Sequence, residues 1–123
     1  MKYLILIQSN ERSLAVWEKM SDQERMAFGR GHMGLGAEMG EAGVLVASEG
    51  LADPELAKWV SVRDGRTIAS DGPYAEAKEH LAGFYLIDCA DLDEAIAWAA
   101  KVPDAANTEV EVRPVLDMSQ WDM

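Results

Sequence analysis

Six short runs of strand character are interleaved with two longer runs of helical periodicity, and their order leaves few folds open. Residues 3–7 (YLILI) are apolar throughout, as a central strand must be when it is paired on both sides. Ser21-Asp22-Gln23-Glu24 has the spacing of a capping box, in which Glu24 reaches back to the Ser21 amide, and opens a helix that ends before Gly43. Strands are predicted over 44–48 and 59–63, and Asp64-Gly65 signals a hairpin that returns through 67–70. After a strand over 83–88, Asp91-Leu92-Asp93-Glu94 caps a second long helix with Leu92, Ala95, Ile96 and Ala99 on one face. Residues 109–115 close the domain as a strand. This is a duplicated β-α-β pattern, the split arrangement of a ferredoxin-like α+β fold with two main helices on one face of the sheet. Two helices cannot cover both faces, so a second copy of the chain is the economical cover and a homodimer is expected.

With 123 residues the chain makes one domain, read here as residues 1–116 followed by a tail over 117–123. The tail carries Trp121, which is expected to make a dimer contact or to fray. Twenty-two acidic against 11 basic residues leave a net charge of −11, with no Lys/Arg cluster, so a nucleic-acid partner is not expected. Cys89 is the single cysteine and falls at the end of a strand, where an inert buried thiol is the expected role. The N-terminal apolar run is too short for a signal sequence, and no run approaches a membrane span; a cytoplasmic protein with no membrane contact is expected. The two histidines lie 48 positions apart without metal-binding spacing, and the glycines fall inside a helix rather than in a phosphate loop. No metal and no cofactor are expected.

Residues 69–88 (ASDGPYAEAKEHLAGFYLID) combine an Asp-Gly-Pro turn, a short charged helix and an aromatic-rich strand entered through Gly83. Pro73 suits a first helical position, Gly72 tolerates the reversal before it, and the Asp71 carboxylate stands near the amides that open the helix. Together with the strand at residues 1–7 and EVEVRPV at 109–115, this segment resembles the YCII-related family in its DGPF subgroup, and the likeness runs over residues 1–115. The resemblance implies a dimeric α+β barrel. In that family a histidine on the first helix is paired with an aspartate as the proposed acid–base pair, which carries over to His32 and Asp71. Tyr74 stands where the motif has Phe and adds a hydroxyl in need of a partner, while Lys78-Glu79 match its Lys-Glu step. Most of the family has no assigned activity, so the likeness implies a fold more than a reaction. DGPF-like proteins are also similar to companions of extracytoplasmic-function sigma factors.

The first long helix holds Gly29, Gly31, Gly34, Gly36 and Gly40. At roughly 1 kcal/mol each against Ala, they remove about 4–5 kcal/mol of helix propensity. At 100° per residue Gly29, Gly36 and Gly40 fall nearly on one line, flanked by Phe28 and Met39 on one side and Met26 and Met33 on the other. That line reads as the middle of the buried stripe, with His32 beside it. Two readings stay open: close helix-on-sheet packing with a core histidine, or a hollow into which the imidazole projects. A helix broken near Gly31 and Gly34 is a third. Asp71 reads first as a cap or turn former, a role compatible with orienting His32 and leaving the other ring nitrogen as the base. Lys78 reads as a solvated lysine or as an anion contact, and Arg113 as an ion-pair residue or a carboxylate clamp. His80 is expected at the exposed end of the short helix. One function fitting these residues is a cofactor-independent lyase or isomerase acting on a small cyclic or anionic compound. The alternative is a non-enzymatic small-ligand-binding or regulatory module associated with a sigma factor.

Overall fold

The computed structural model describes residues 1–72 and 78–120. Tyr74, Trp121 and most of the short helix expected after Pro73 lie outside the described residues. The elements run β1 (Lys2–Ser9), α1 (Glu11–Lys19), α2 (Asp22–Glu41), β2 (Leu45–Gly50), β3 (Lys58–Arg63), β4 (Arg66–Asp71), β5 (His80–Asp88), α3 (Leu92–Ala99), α4 (Pro103–Asn107) and β6 (Glu111–Pro114). Four strands form one antiparallel sheet in the order β2-β5-β1-β6, while β3 and β4 pair only with each other. The four-stranded order is that of a ferredoxin-like α+β fold, as the interleaving predicts.

The side-chain alternation of β1 and β5 builds the core. Tyr3, Ile5 and Ile7 point to the same face as Tyr85 and Ile87, and there they meet Leu35 and Met39 of α2 with Ala95 and Ala99 of α3. Ile5, Met39, Ile87 and Val102 are fully buried, each worth about 1.5–3 kcal/mol of apolar burial. Cys89 joins this cluster, and burial pushes its thiol pKa up, which fits an inert core residue. Leu4, Leu6, Phe84 and Leu86 take the alternate positions and form a half-buried apolar patch on the open face.

Local signals place the element ends. Ser21 Oγ accepts from the Glu24 amide at 3.1 Å and Glu24 Oε1 from the Ser21 amide at 3.0 Å, closing the expected capping box. Asp91 caps α3 by accepting from the Glu94 amide at 2.9 Å. Asp64 (φ 50°) and Gly65 (φ 74°) are both left-handed, as the two-residue turn between β3 and β4 requires.

Four expectations change. The helix α1 is an addition, opened by Asn10 and Ser13 in a reciprocal cap at 2.9 Å in both directions. The second long helix is two pieces, because Pro103 cannot continue a helix but can start one. On α3 the buried residues are Ala95 and Ala99, whereas Leu92 and Ile96 are half exposed. His80 opens β5 opposite Ser9 instead of ending a helix, and Lys78 and Glu79 stand before it outside any helix.

The glycine line of α2 is not its buried stripe. Arg25, Phe28, His32, Leu35 and Met39 face inward at spacings of three and four, while Gly29 and Gly40 are exposed with Met26 and Met33. The helix is unbroken through Gly31 and Gly34. A Cβ at Gly29, Gly34 or Gly40 would meet nothing within 4 Å, but one at Gly31 would lie 3.0 Å from Pro103 Cγ. Met39→Ala is expected to destabilise by about 2–5 kcal/mol in denaturant melts. Gly34→Ala is expected to stabilise by up to about 1 kcal/mol in the same measurement.

Candidate functional site

Gly31 sets up the chemistry one residue before His32. Its missing side chain lets Pro103 settle against α2, and Val102, 1% exposed, anchors the start of α4 in the core. Pro103 leads directly into Asp104, whose carboxylate Oδ1 stands 2.6 Å from His32 Nε2. On the other side of the ring, His32 Nδ1 lies 2.7 Å from the Tyr85 hydroxyl. A strand, a long helix and a short helix therefore meet in one chain of hydrogen bonds, Tyr85–His32–Asp104.

Aromatic packing holds the imidazole. The rings of His32 and Tyr85 are stacked with 7° between their planes, and Phe28 meets His32 edge-on at 5.1 Å. Trp17 of α1 meets Phe28 edge-on at 5.9 Å, and the Arg25 guanidinium stacks over Trp17 at 4.9 Å. Arg25 also donates from Nε and Nη2 to the Trp17 carbonyl oxygen.

The hydrogen bonds assign the tautomer of the neutral ring. Burial, reinforced by the negative charge of Asp104, pushes the Tyr85 phenol up to about 12, so it keeps its proton at neutral pH. Tyr85 then donates to Nδ1, and Nε2–H donates to Asp104. The backbone oxygen of His32 lies 3.3 Å from the same phenol, offering Tyr85 an alternative acceptor when Nδ1 carries a proton. Both ring nitrogens are engaged, and no buried polar side-chain atom among the described residues lacks a partner.

Asp104 lines a cleft of about 430 Å³ between α1, α4 and the adjoining ends of β1 and β5. Trp17, Phe28, Leu14, Met20, Leu51 and Ala82 supply its apolar wall. Ser13, Asn107 and Thr108 supply polar groups beside Asp104. An apolar cavity with a few convergent polar groups, one of them in a hydrogen-bonded titratable pair, has the form of a small-molecule site.

The other expected site residues fall elsewhere. Asp71 ends β4 with its carboxylate on the Lys58 ammonium across the hairpin, and its side chain is 82% exposed. It does not pair with His32 within one chain; Asp104 occupies that place. Arg113 stands on the open face, because strand alternation puts it opposite Leu4 rather than toward α2. It pairs with Glu111 of its own strand, Nε to Oε2 at 2.7 Å, an exposed bridge of little energetic weight. Lys78 is exposed and is not among the described residues lining the cleft. No group of three or more metal-ligating side chains occurs among the described residues. No helix among them is long and apolar enough to cross a membrane.

Asp104 and Tyr85 were not singled out by the sequence. Val102-Pro103 was an available signal for a new helix start, but nothing local ties residue 104 to residue 32.

Residues 1–119 match the YCII-related domain. An uncharacterised protein of Rhizobium meliloti (strain 1021) is 38% identical over 117 residues, covering 94% of this chain and 92% of the relative.

The position of Tyr85 has a pH signature. Its pKa lies above the ordinary 10.0, so the fold favours the neutral phenol. The stabilisation this gives is complete below about pH 10 and is lost as pH rises through about 12. Ultraviolet titration is expected to show a tyrosine ionising near pH 12, and Tyr85→Phe to remove that step.

Proposed function

The chain belongs to the YCII-related family, and within it we propose a small cofactor-independent enzyme, a lyase or isomerase, that moves a proton through His32 and Asp104. The observation carrying this reading is the Tyr85–His32–Asp104 chain with its carboxylate in the wall of a cleft. Oδ1 of Asp104 is engaged by His32, leaving Oδ2 as the oxygen for substrate. Asp104 accepts the substrate proton and returns it or passes it to the leaving group. His32 is the positioning residue: its Nε2–H holds the carboxylate in orientation, and Tyr85 fixes the tautomer that makes this possible. Positioned proton transfer of this kind contributes about 10²–10⁴-fold to rate.

The Asp71-Gly72-Pro73-Tyr74 sequence supports placing the chain in the DGPF subgroup. The apolar patch of Leu4, Leu6, Phe84 and Leu86 supports a homodimer closed over the open face, as a dimeric α+β barrel. A regulatory module that binds a sigma factor is the second reading. It is favoured by the β3–β4 hairpin, which is exposed along its whole length and holds Val60, Val62 and Ile68 in solvent.

A turnover screen against small ring compounds tests the first reading. Asp104→Asn is expected to lower kcat by about 10²–10⁴-fold, and His32→Gln to lower it less, with circular dichroism unchanged in both. Wild-type rates in Asp104→Asn would remove the pair from the chemistry. Stoichiometric capture of a sigma factor, without turnover of any compound, would favour the second reading. Sedimentation is expected to give a dimer for the native chain and a monomer for Leu86→Asp.

A further inference from the structure

Charge is distributed unevenly between the cleft and the rest of the surface. Among the described residues that line it, Asp104 is the one charged side chain, and no Lys or Arg joins it. Arg25 stands against the wall from outside the lining, stacking on Trp17 and giving two N–H groups to the Trp17 carbonyl oxygen. Lys78 and Arg113, the cations the sequence offered for an anionic substrate, are respectively exposed before β5 and on the opposite face of the sheet. When the ring is neutral, His32 gives the carboxylate an N–H but no positive charge, and the Asp104 side chain is 18% exposed. The chain as a whole adds a net charge of −11 to that field.

An anion entering this cleft meets a largely desolvated like charge, with no Lys or Arg among the described residues that line it. A group that donates N–H or O–H finds an acceptor, and a cation also gains Coulomb attraction in a partly apolar surrounding. The wall supplies the rest of the recognition. Trp17 and Phe28 present aromatic surface, Leu14, Met20 and Leu51 present aliphatic surface, and about 430 Å³ accommodates a single small ring with substituents.

We infer that this cleft takes an uncharged or cationic ring compound whose N–H or O–H donates to Asp104, and that it discriminates against anions. The inference deepens the acid–base reading and rests on the same site, but on its charge and lining rather than on turnover. It narrows the substrate class from cyclic or anionic compounds to proton-donating, non-anionic rings.

Three probes that share one ring test it at pH 7.5: benzylamine, benzyl alcohol and benzoate. The readout is the shift of the Trp17 indole N–H in nitrogen-15 spectra, assigned with Trp17→Phe, titrated into the native full-length protein. Benzylamine and benzyl alcohol are expected to move this signal with dissociation constants at least about 10-fold below that of benzoate. Asp104→Asn is expected to shrink the ratio between benzylamine and benzoate to within about threefold. Benzoate binding as tightly as benzylamine, a preference that survives Asp104→Asn, or no shift of Trp17 with any probe would overturn the inference. These outcomes are separable from failure of the proposed enzyme. A cleft that prefers benzoate while Asp104→Asn still abolishes turnover removes the ligand class and keeps the acid–base pair. The expected binding preference without any effect of Asp104→Asn on turnover does the reverse.

Discussion

The antiparallel pairing of β1 with β5 is the constraint on which everything else depends. Its register sets Tyr3, Ile5 and Ile7 on the same face as Tyr85 and Ile87, and a slip of one residue would exchange that face for Leu4, Leu6, Phe84 and Leu86. Because Tyr85 belongs to the inward set, its hydroxyl is carried beneath α2, where it finds His32 at 2.7 Å. The same alternation sends Arg113 to the far face. Core packing and site geometry are thus decided by one parity.

A second dependence runs through backbone contact. α4 is only five residues long and would be marginal alone, since isolated short helices lack the propagation that offsets nucleation. It is held by Val102 in the core and by the approach of Pro103 to Gly31. Of the five glycines of α2, Gly31 is the one whose added Cβ would press on another element, 3.0 Å from Pro103 Cγ. Its conformational cost in the helix is therefore tied to the placing of Asp104 rather than to packing of the helix on the sheet.

The site joins a rigid part to an accessible one. Tyr85 is 4% exposed in the sheet, His32 is clamped between aromatic rings, and Asp104 reaches the cleft wall. A fixed imidazole behind a carboxylate loses little freedom when substrate arrives, and that is how preorganisation favours proton transfer. The β3–β4 hairpin contrasts with this. It pairs only with itself, and a two-stranded ribbon gains little stability in water without something to pack on.

Much of the fold was legible in the chain because it follows from short-range chemistry. The capping box at Ser21, the side-chain cap at Asp91, the Asp64-Gly65 turn, the all-apolar β1 and the order of elements each depend on residues a few positions apart. His32 was legible as a candidate, since a histidine beside an apolar helix stripe is unusual enough to notice. Its partners were not. Asp104 lies 72 positions away and Tyr85 lies 53, and no local pattern encodes which of many carboxylates a helix will bring to an imidazole. The sequence likewise could not say which face of α2 is buried, because five glycines flatten its amphipathic signal. Helical propensity and strand parity act within an element and can be read from the sequence. The meeting of elements is set by how whole faces pack, and that competition was resolved only in the tertiary structure.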